Sequence, residues 1–262
     1  MRYLIVSFIF FLFPLTVLAS PWGRQEGELF VAPQVYYYTA DKYWDKHGSK
    51  KDVGCTFKKW EYATYGEYGL NDDTTITLRV PYLRIKCGGS SESGLGDVEA
   101  GVIRKLKKWD SSILSFQLLS VIPTGYSIDK DLRLGYGRLG IEPSLLFGYG
   151  QEKYFLEGGL GYRYYFGYPS DQVRGYGRVG LKGNRWMVID TLDVQWGLNN
   201  GETKRVGKNI TVEPYYRLVQ NDLNLVVNLF ERFNLSLGFV KALWGRNTGD
   251  GKSFYAQMWF RF

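Results

Sequence analysis

The sequence offers a single histidine as the base of a catalytic triad. The chain of 262 residues contains one histidine, His47, in the polar segment 45–48. A serine nucleophile needs a histidine base that is itself oriented by a third group. The strand pattern places no strand-end serine and no paired aspartate near His47, so a solvated loop histidine is the better interpretation. We therefore predict no catalytic residue and no enzymatic activity.

The two cysteines, Cys55 and Cys87, are the other residues with distinctive chemistry. With one histidine they do not supply the ligand set of a metal site, so we expect no metal and no other cofactor. Strands 60–70 and 74–86 are predicted to form a hairpin around Asp72, which places the two cysteines almost opposite each other. The sequence therefore predicts a disulfide between the first two long loops, and the alternative is two unpaired thiols in mobile loops.

Charged side chains that fall on one face of the predicted strands form the largest group of candidate functional residues. These lumen candidates are Glu61, Glu67, Arg79, Glu99, Glu142, Glu157, Arg163, Arg174, Arg178 and Asp193. They could form a charged constriction that selects a polar solute, or an internal salt-bridge network that fills a narrow barrel. Barrels of 8 strands are filled by side chains and those of 16–18 strands leave a channel. Because twelve strands fall between these sizes, the sequence leaves both roles open and slightly favours the structural one.

The elements that must position these charges are short segments of alternating polarity. Tight turns and longer loops alternate between them, as in barrels that have short periplasmic turns and long outer loops. The longer loops are predicted at 40–59, 87–95, 124–137, 167–172, 197–209 and 244–251. Twelve strands are predicted, near 28–39, 60–70, 74–86, 96–108, 112–123, 138–149, 153–166, 173–182, 185–196, 210–230, 235–243 and 252–262.

The tenth predicted strand, 210–230, is the ambiguous one. It is long for a single strand, and we take Leu223 to Phe230 as its membrane part and 210–219 as an extension above the membrane. A tight turn at 220–222 would instead give thirteen strands. Even counts dominate bacterial barrels, so twelve is preferred.

The last strand alternates and ends on an aromatic residue. Phe260 and Phe262 share the face predicted to contact lipid, and Arg261 lies on the other face. A charge on the lipid face near the midplane would cost about 2–4 kcal/mol, so the charged faces must line the lumen. Arg104 breaks this rule near the periplasmic end, where it could reach the interface. We interpret Phe260 and Phe262 as a C-terminal assembly signal for the barrel-assembly machinery.

The first residues have the pattern of an export signal. Arg2 precedes an apolar run over residues 4–17, and Val17, Leu18 and Ala19 resemble a cleavage site. We predict a signal peptide at 1–19 and an outer-membrane β-barrel domain at 20–262. The net charge of +7 is dispersed along the chain, and export argues against nucleic acid as a partner.

Six segments together resemble the XagA-like and meta-pathway phenol degradation group of bacterial outer-membrane proteins, which are related to FadL-type barrels. They are GEYGLNDD (66–73), GLGDVEAG (94–101), IPTG (122–125), GLGYR (159–163), GRNTG (245–249) and WFRF (259–262). The resemblance implies a monomeric barrel with a transport role, and the family names suggest aromatic compounds or surface polysaccharide. FadL-type proteins carry an N-terminal plug, whereas here only Ser20 to Gly27 precede the first strand, so that mechanism is not carried over.

We therefore predict an all-β, closed antiparallel up-and-down barrel of twelve strands in a Gram-negative-type outer membrane, with membrane lipid around it. A soluble secreted β-sandwich is the alternative architecture. The predicted function is that of a porin-like channel or transporter for a small, unidentified solute. The alternative is a non-conducting structural or surface-adhesion barrel that presents extracellular loops such as 40–59.

Overall fold

The computed structural model describes residues 20–130, 132–201, 204–206, 210–212 and 215–262, and these residues form β-strands, turns and loops. No helix within these ranges is long and apolar enough to cross a membrane. The strands are β1 Leu29–Trp44, β2 Lys50–Asn71, β3 Thr74–Cys87, β4 Ser90–Leu95, β5 Val98–Lys108, β6 Ser112–Ile122, β7 Gly140–Gly150, β8 Tyr154–Tyr165, β9 Gln172–Lys182, β10 Trp186–Gly197, β11 Lys204–Val206, β12 Ile210–Val212, β13 Arg217–Phe230, β14 Phe233–Arg246 and β15 Thr248–Arg261.

The strands close into one antiparallel barrel. β1 pairs with β15 on one side and with β2 on the other, and β2 also pairs with β3. β4 and β5 pair with successive parts of β3 and together count as one strand of the barrel wall. β11 and β12 pair only with each other, in a separate two-stranded sheet. The predicted closed barrel of twelve strands is therefore confirmed.

Three of the outer loops are shorter than predicted. β1 and β2 continue through most of 40–59 and meet in a tight turn, where the Asp45 carboxylate accepts hydrogen bonds from the backbone N–H groups of His47 and Ser49, both at 2.9 Å. β4 occupies part of 87–95, and β14 and β15 meet at Asn247. Above the membrane the outer face of a strand contacts water and not lipid, so charged residues are tolerated there and the apolar outer row that marks a spanning strand is lost.

The ambiguous segment 210–230 divides differently from the prediction. β13 begins at Arg217, and Gln220 and Asp222 pair within it with Asp193 and Thr191 of β10. The turn-like residues are thus in the strand, and the described residues form no thirteenth strand of the barrel wall. Residues 210–212 belong to a separate short strand, so the predicted continuous extension over 210–219 is wrong.

The outer face of the barrel is apolar and the inner face is polar. On β15, Phe254 and Met258 point outward with 52% and 47% of their surface exposed, while Ser253 and Gln257 are buried inside at 1% and 6%. A soluble sandwich would bury the apolar set instead, so that alternative is wrong. Arg104 points outward near the periplasmic end of β5, as predicted.

Cys55 and Cys87 form the disulfide that the hairpin register predicted, with Cα atoms 5.6 Å apart. Both cysteines lie in strands, so the bond joins β2 directly to the end of β3 and not two loops.

Reduction of this disulfide should lower the free energy of unfolding of the barrel by about 2–4 kcal/mol, because the bond constrains the unfolded chain. Urea unfolding of the refolded protein with and without reductant measures the change. The variant C55S/C87S is the control, since its unfolding should not respond to reductant. Unchanged mass of the wild-type protein after reduction and alkylation would show that the bond is absent.

Candidate functional site in the barrel lumen

A chain of ion pairs crosses the middle of the lumen. Arg79 of β3 pairs with Glu61 of β2 and lies 3.8 Å from Glu99 of β5. Arg163 of β8 lies 3.3 Å from Glu99 and also pairs with Glu142 of β7. The alternation of each strand turns these side chains inward, where all five are buried. We call this set, with Lys59 and Arg174, the lumen ladder.

Lys59 and Arg174 extend the ladder at its two ends. The Lys59 Nζ lies 3.1 Å from Glu61, and the Arg174 guanidinium lies 3.6 Å from Glu142. Buried charges are tolerated when each has a partner of opposite sign. The ladder therefore fills the middle of the lumen with paired charges.

The other four predicted lumen residues lie outside the ladder. Arg178 and Glu157 pair at 3.0 Å across β9 and β8. Glu67 pairs with Arg24, and the Asp193 carboxylate accepts hydrogen bonds from the side-chain amides of Gln195 at 2.8 Å and Gln220 at 3.2 Å. The structure thus turns all ten predicted residues inward and brings six of them together, those being Glu61, Arg79, Glu99, Glu142, Arg163 and Arg174.

The extracellular half of the lumen is occupied by apolar and aromatic side chains. The described residues between β6 and β7, 123–130 and 132–139, fold inward, and Leu132, Leu134 and Tyr136 among them are buried. Its Tyr126 hydroxyl donates to the Asp97 carboxylate, and a Cβ at Gly135 would collide with both groups. Residues of the strands and of two other loops complete two buried clusters around this segment. The strand residues include Trp44, Tyr165, Phe57, Leu83 and Ile85, and the loop residues are Tyr168 and Tyr216.

The residues before β1 lie inside the periplasmic end of the barrel. The Ser20 hydroxyl donates to Glu157 at 3.1 Å, and the Ser115 hydroxyl donates to the carbonyl of Pro21 at 2.6 Å. The backbone N–H of Arg24 donates to the Thr75 hydroxyl at 2.7 Å. Residues 20–28, which we call the N-terminal segment, therefore cross the inner wall from β8 to β3.

Trp22 explains why two glycines face this segment. A Cβ at Gly148 would lie 2.8 Å from Pro21 and 3.0 Å from the Trp22 indole, and one at Gly150 would lie 3.2 Å from the same ring. Glycine at both positions gives the segment room against β7.

A cavity of about 380 Å³ remains between the N-terminal segment and the opposite wall. One part of its lining is apolar, with Phe155, Ile189 and Trp259. The other part carries Asp222, whose carboxylate accepts a hydrogen bond from the Tyr255 hydroxyl at 3.0 Å. Among the described residues, no lysine or arginine nitrogen lies within 4.0 Å of the Asp222 carboxylate, so Asp222 forms no ion pair. The cavity therefore combines an aromatic wall with an uncompensated carboxylate.

Sequence reasoning missed Arg24, Lys59 and Asp222. Lys59 stands one residue before the predicted start of its strand, and Asp222 lies in the segment 220–222 that the alternative prediction makes a tight turn. Arg24 lies in a segment without alternation. With the correct strand bounds, the alternation of side chains would have placed Lys59 and Asp222 on the inner face. No local signal marks Arg24.

No protein-family model matches the chain, and no curated protein matches it. Solved outer-membrane barrels share its fold. The COG4313 outer membrane channel from Pseudomonas putida F1 has a TM-score of 0.79 and 15% sequence identity, over 92% of this chain and 97% of that one. The NanC porin has a TM-score of 0.56 and 9% identity, over 88% and 98%. The TodX deltaS2S3 mutant, a monoaromatic hydrocarbon channel, has a TM-score of 0.50 and 9% identity, over 93% and 92%.

At these identities the likenesses show the fold. A closed barrel with an apolar outer band satisfies every backbone group within the wall and matches a lipid environment. With the outer-membrane barrels that share its fold, this confirms the location predicted from the sequence.

Proposed function

We propose that this protein is an outer-membrane channel for a small solute. The observation that carries the proposal is the cavity of about 380 Å³ beside the N-terminal segment. Residues 20–24 are held there by side-chain contacts to Glu157, Ser115 and Thr75, and not by strand pairing. A segment held in this way can leave the mouth of the barrel without breaking the wall.

The charges that line the cavity are equal in number, with four cations and four carboxylates: Arg24, Arg178, Lys182, Arg261, Glu67, Glu157, Asp193 and Asp222. Arg24 pairs with Glu67 and Arg178 pairs with Glu157, whereas Asp222 has no ion-pair partner among the described residues and adds a negative charge to the cavity. Rings or clusters of acidic side chains select cations in channels. We therefore propose a cationic or neutral polar solute for this path.

A non-conducting structural barrel is the second candidate. The ladder and the extracellular clusters that contain Tyr136 and Leu134 favour it, because they fill much of the lumen with paired or packed side chains. A role in surface adhesion has less support, because it needs long extracellular loops and the predicted loop 40–59 is mostly strand.

The same proposal includes the oligomeric state, the assembly and the export of the protein. The sequence resemblance to the XagA-like group supports a monomeric transport barrel. The aromatic ending at Phe260 and Phe262 supports recognition by the barrel-assembly machinery. The export signal pattern over 1–19, outside the described residues, supports cleavage before Ser20.

Refolded protein in planar bilayers should open and should pass potassium ions in preference to chloride. D222N should lower the cation-to-anion permeability ratio roughly twofold, because it removes the uncompensated charge from the path. D190N is the matched control: Asp190 lies on the outer face of β10, bonded to Asn221, and its loss should leave the ratio unchanged.

Absence of any opening under all voltages and salts would overturn the channel proposal. Opening with the same ratio in wild type and D222N would remove Asp222 from the path.

A further inference from the structure

Three cations form a cluster on the outer face of β2 and β3, near their extracellular ends. Lys58 of β2 lies directly opposite Lys86 of β3, and Arg84 follows two residues from Lys86 on the same face. All three side chains are exposed. None of them takes part in an ion pair with a described carboxylate, and the nearby Glu92 pairs with Lys130 instead. We call this set the basic face.

The pairing of Lys58 with Lys86 is unfavourable in the protein alone. Like charges directly opposite each other on neighbouring strands destabilise a sheet. Within the part of the chain that the structure describes, no acidic group compensates them, so an external anion would relieve the repulsion.

Hydroxyl groups continue the basic face onto β4. Ser91 lies opposite Lys86, and Ser93 lies opposite Arg84. Both serines are exposed on the same outer face as the cations. Arginine, lysine and hydroxyl donors together form the type of donor set that binds phosphate oxygens.

Below the cations the same rows become aromatic and apolar. Trp60 lies opposite Arg84, and the next row places Tyr62, Tyr82 and Leu95 side by side. These four side chains are exposed, at 40%, 49%, 45% and 48%. Tryptophan and tyrosine collect where the headgroup region of a membrane meets the acyl chains.

The height of the basic face matches the outer leaflet. Lys58 lies about 30 Å above the periplasmic turn at Asn71, for a strand rise of about 3.3 Å per residue and a tilt of about 40°. The apolar band of an outer-membrane barrel is about 25 Å tall. Lys58, Arg84 and Lys86 thus lie at the level of lipid headgroups on the extracellular side.

We propose that the basic face binds the phosphate of lipid A, the phosphorylated glycolipid of the outer leaflet. Lys58, Arg84 and Lys86 hold the phosphate, and Ser91 and Ser93 donate to its oxygens. The acyl chains lie along the apolar row that contains Tyr82. The disulfide from Cys55 to Cys87 joins the same two strands next to Lys86, which fixes the spacing of the cations before the lipid binds.

The test measures lipid retained by the refolded full-length barrel in detergent. Bisphosphorylated lipid A is titrated against wild type and against K58Q/R84Q/K86Q, and bound lipid is counted by native mass spectrometry. The matched control is R104Q/K107Q/K108Q, which removes the same charge from exposed cations at the periplasmic end of β5. Heat-modifiable gel mobility checks that each variant is folded, and the single variant R84Q serves if the triple variant does not fold.

We expect wild type and the periplasmic control to bind lipid A equally. The K58Q/R84Q/K86Q variant should bind about 100-fold more weakly, from the usual contribution of each cation near an anionic lipid surface, and R84Q about 5-fold more weakly. Wild type should also bind dephosphorylated lipid A weakly. Undiminished binding by the triple variant, or by R84Q where it replaces the triple variant, would overturn the proposal. Equal losses in the periplasmic control, or equal retention of phosphatidylglycerol, would do the same. Because the assay measures no current, its outcome is independent of the channel proposal.

Discussion

Oxidation of a G23C/T75C variant should close the barrel, so that single-channel current falls to the baseline, and reduction should restore it. The N-terminal segment crosses the periplasmic mouth, and in the proposed channel it must move aside before solute can pass. A Cβ built at Gly23 lies 3.7 Å from the Thr75 Cβ, within the separation that disulfides adopt. The new bond would hold the segment against β3 and prevent that movement.

Two costs accompany this cross-link, and neither should prevent folding. Gly23 has a φ of 58°, so a cysteine there is strained by about 1–2 kcal/mol. The Thr75 hydroxyl, which accepts from the Arg24 backbone, is also lost. Both changes affect the segment and leave the pairing of the wall intact.

Controls separate the cross-link from effects on the native disulfide. Wild type under the same oxidant and reductant reports any effect of Cys55 and Cys87. The single variants G23C and T75C report the substitutions without the bond. Full current from a variant whose cross-link is verified by mass would show that the N-terminal segment does not control the path.

The wall of the barrel was predictable because alternation records which environment each strand face meets. On β9, Arg174 and Arg178 fall on the inner face, as the prediction from their spacing required. Lipid penalises a charge on the outer face by a few kcal/mol, so the pattern is strongly enforced within the membrane. Above the membrane this penalty vanishes, which explains why the ends of β1 and β2 were predicted as a loop.

The filling of the lumen was not predictable in the same way. The N-terminal segment has no periodicity, and its partners Ser115 and Glu157 lie 94 and 137 residues along the chain from Pro21 and Ser20. The inward fold of 123–130 and 132–139 similarly depends on Asp97, which lies between β4 and β5 and accepts a hydrogen bond from Tyr126, 29 residues further along the chain. Such contacts follow from the closed shape, and strand patterns contain no information about them.

Loss of Arg163 should destabilise the barrel more than loss of any exposed cation. Its side chain is 1% exposed and joins Glu99 to Glu142 at the centre of the ladder. Removing one partner of a buried ion pair leaves an uncompensated charge and costs about 3–5 kcal/mol. We expect R163M to lower the free energy of unfolding by about 3 kcal/mol, since Arg79 and Arg174 still lie near the two carboxylates.

Urea unfolding of the refolded barrel measures this effect, with R104M as the matched control. Arg104 is exposed on the outer face, so its replacement should change stability by less than about 0.5 kcal/mol. The double variant E142Q/R163M should recover about half of the loss, because it removes one of the two carboxylates left behind. If R163M is as stable as R104M, the ladder is not what holds these strands together.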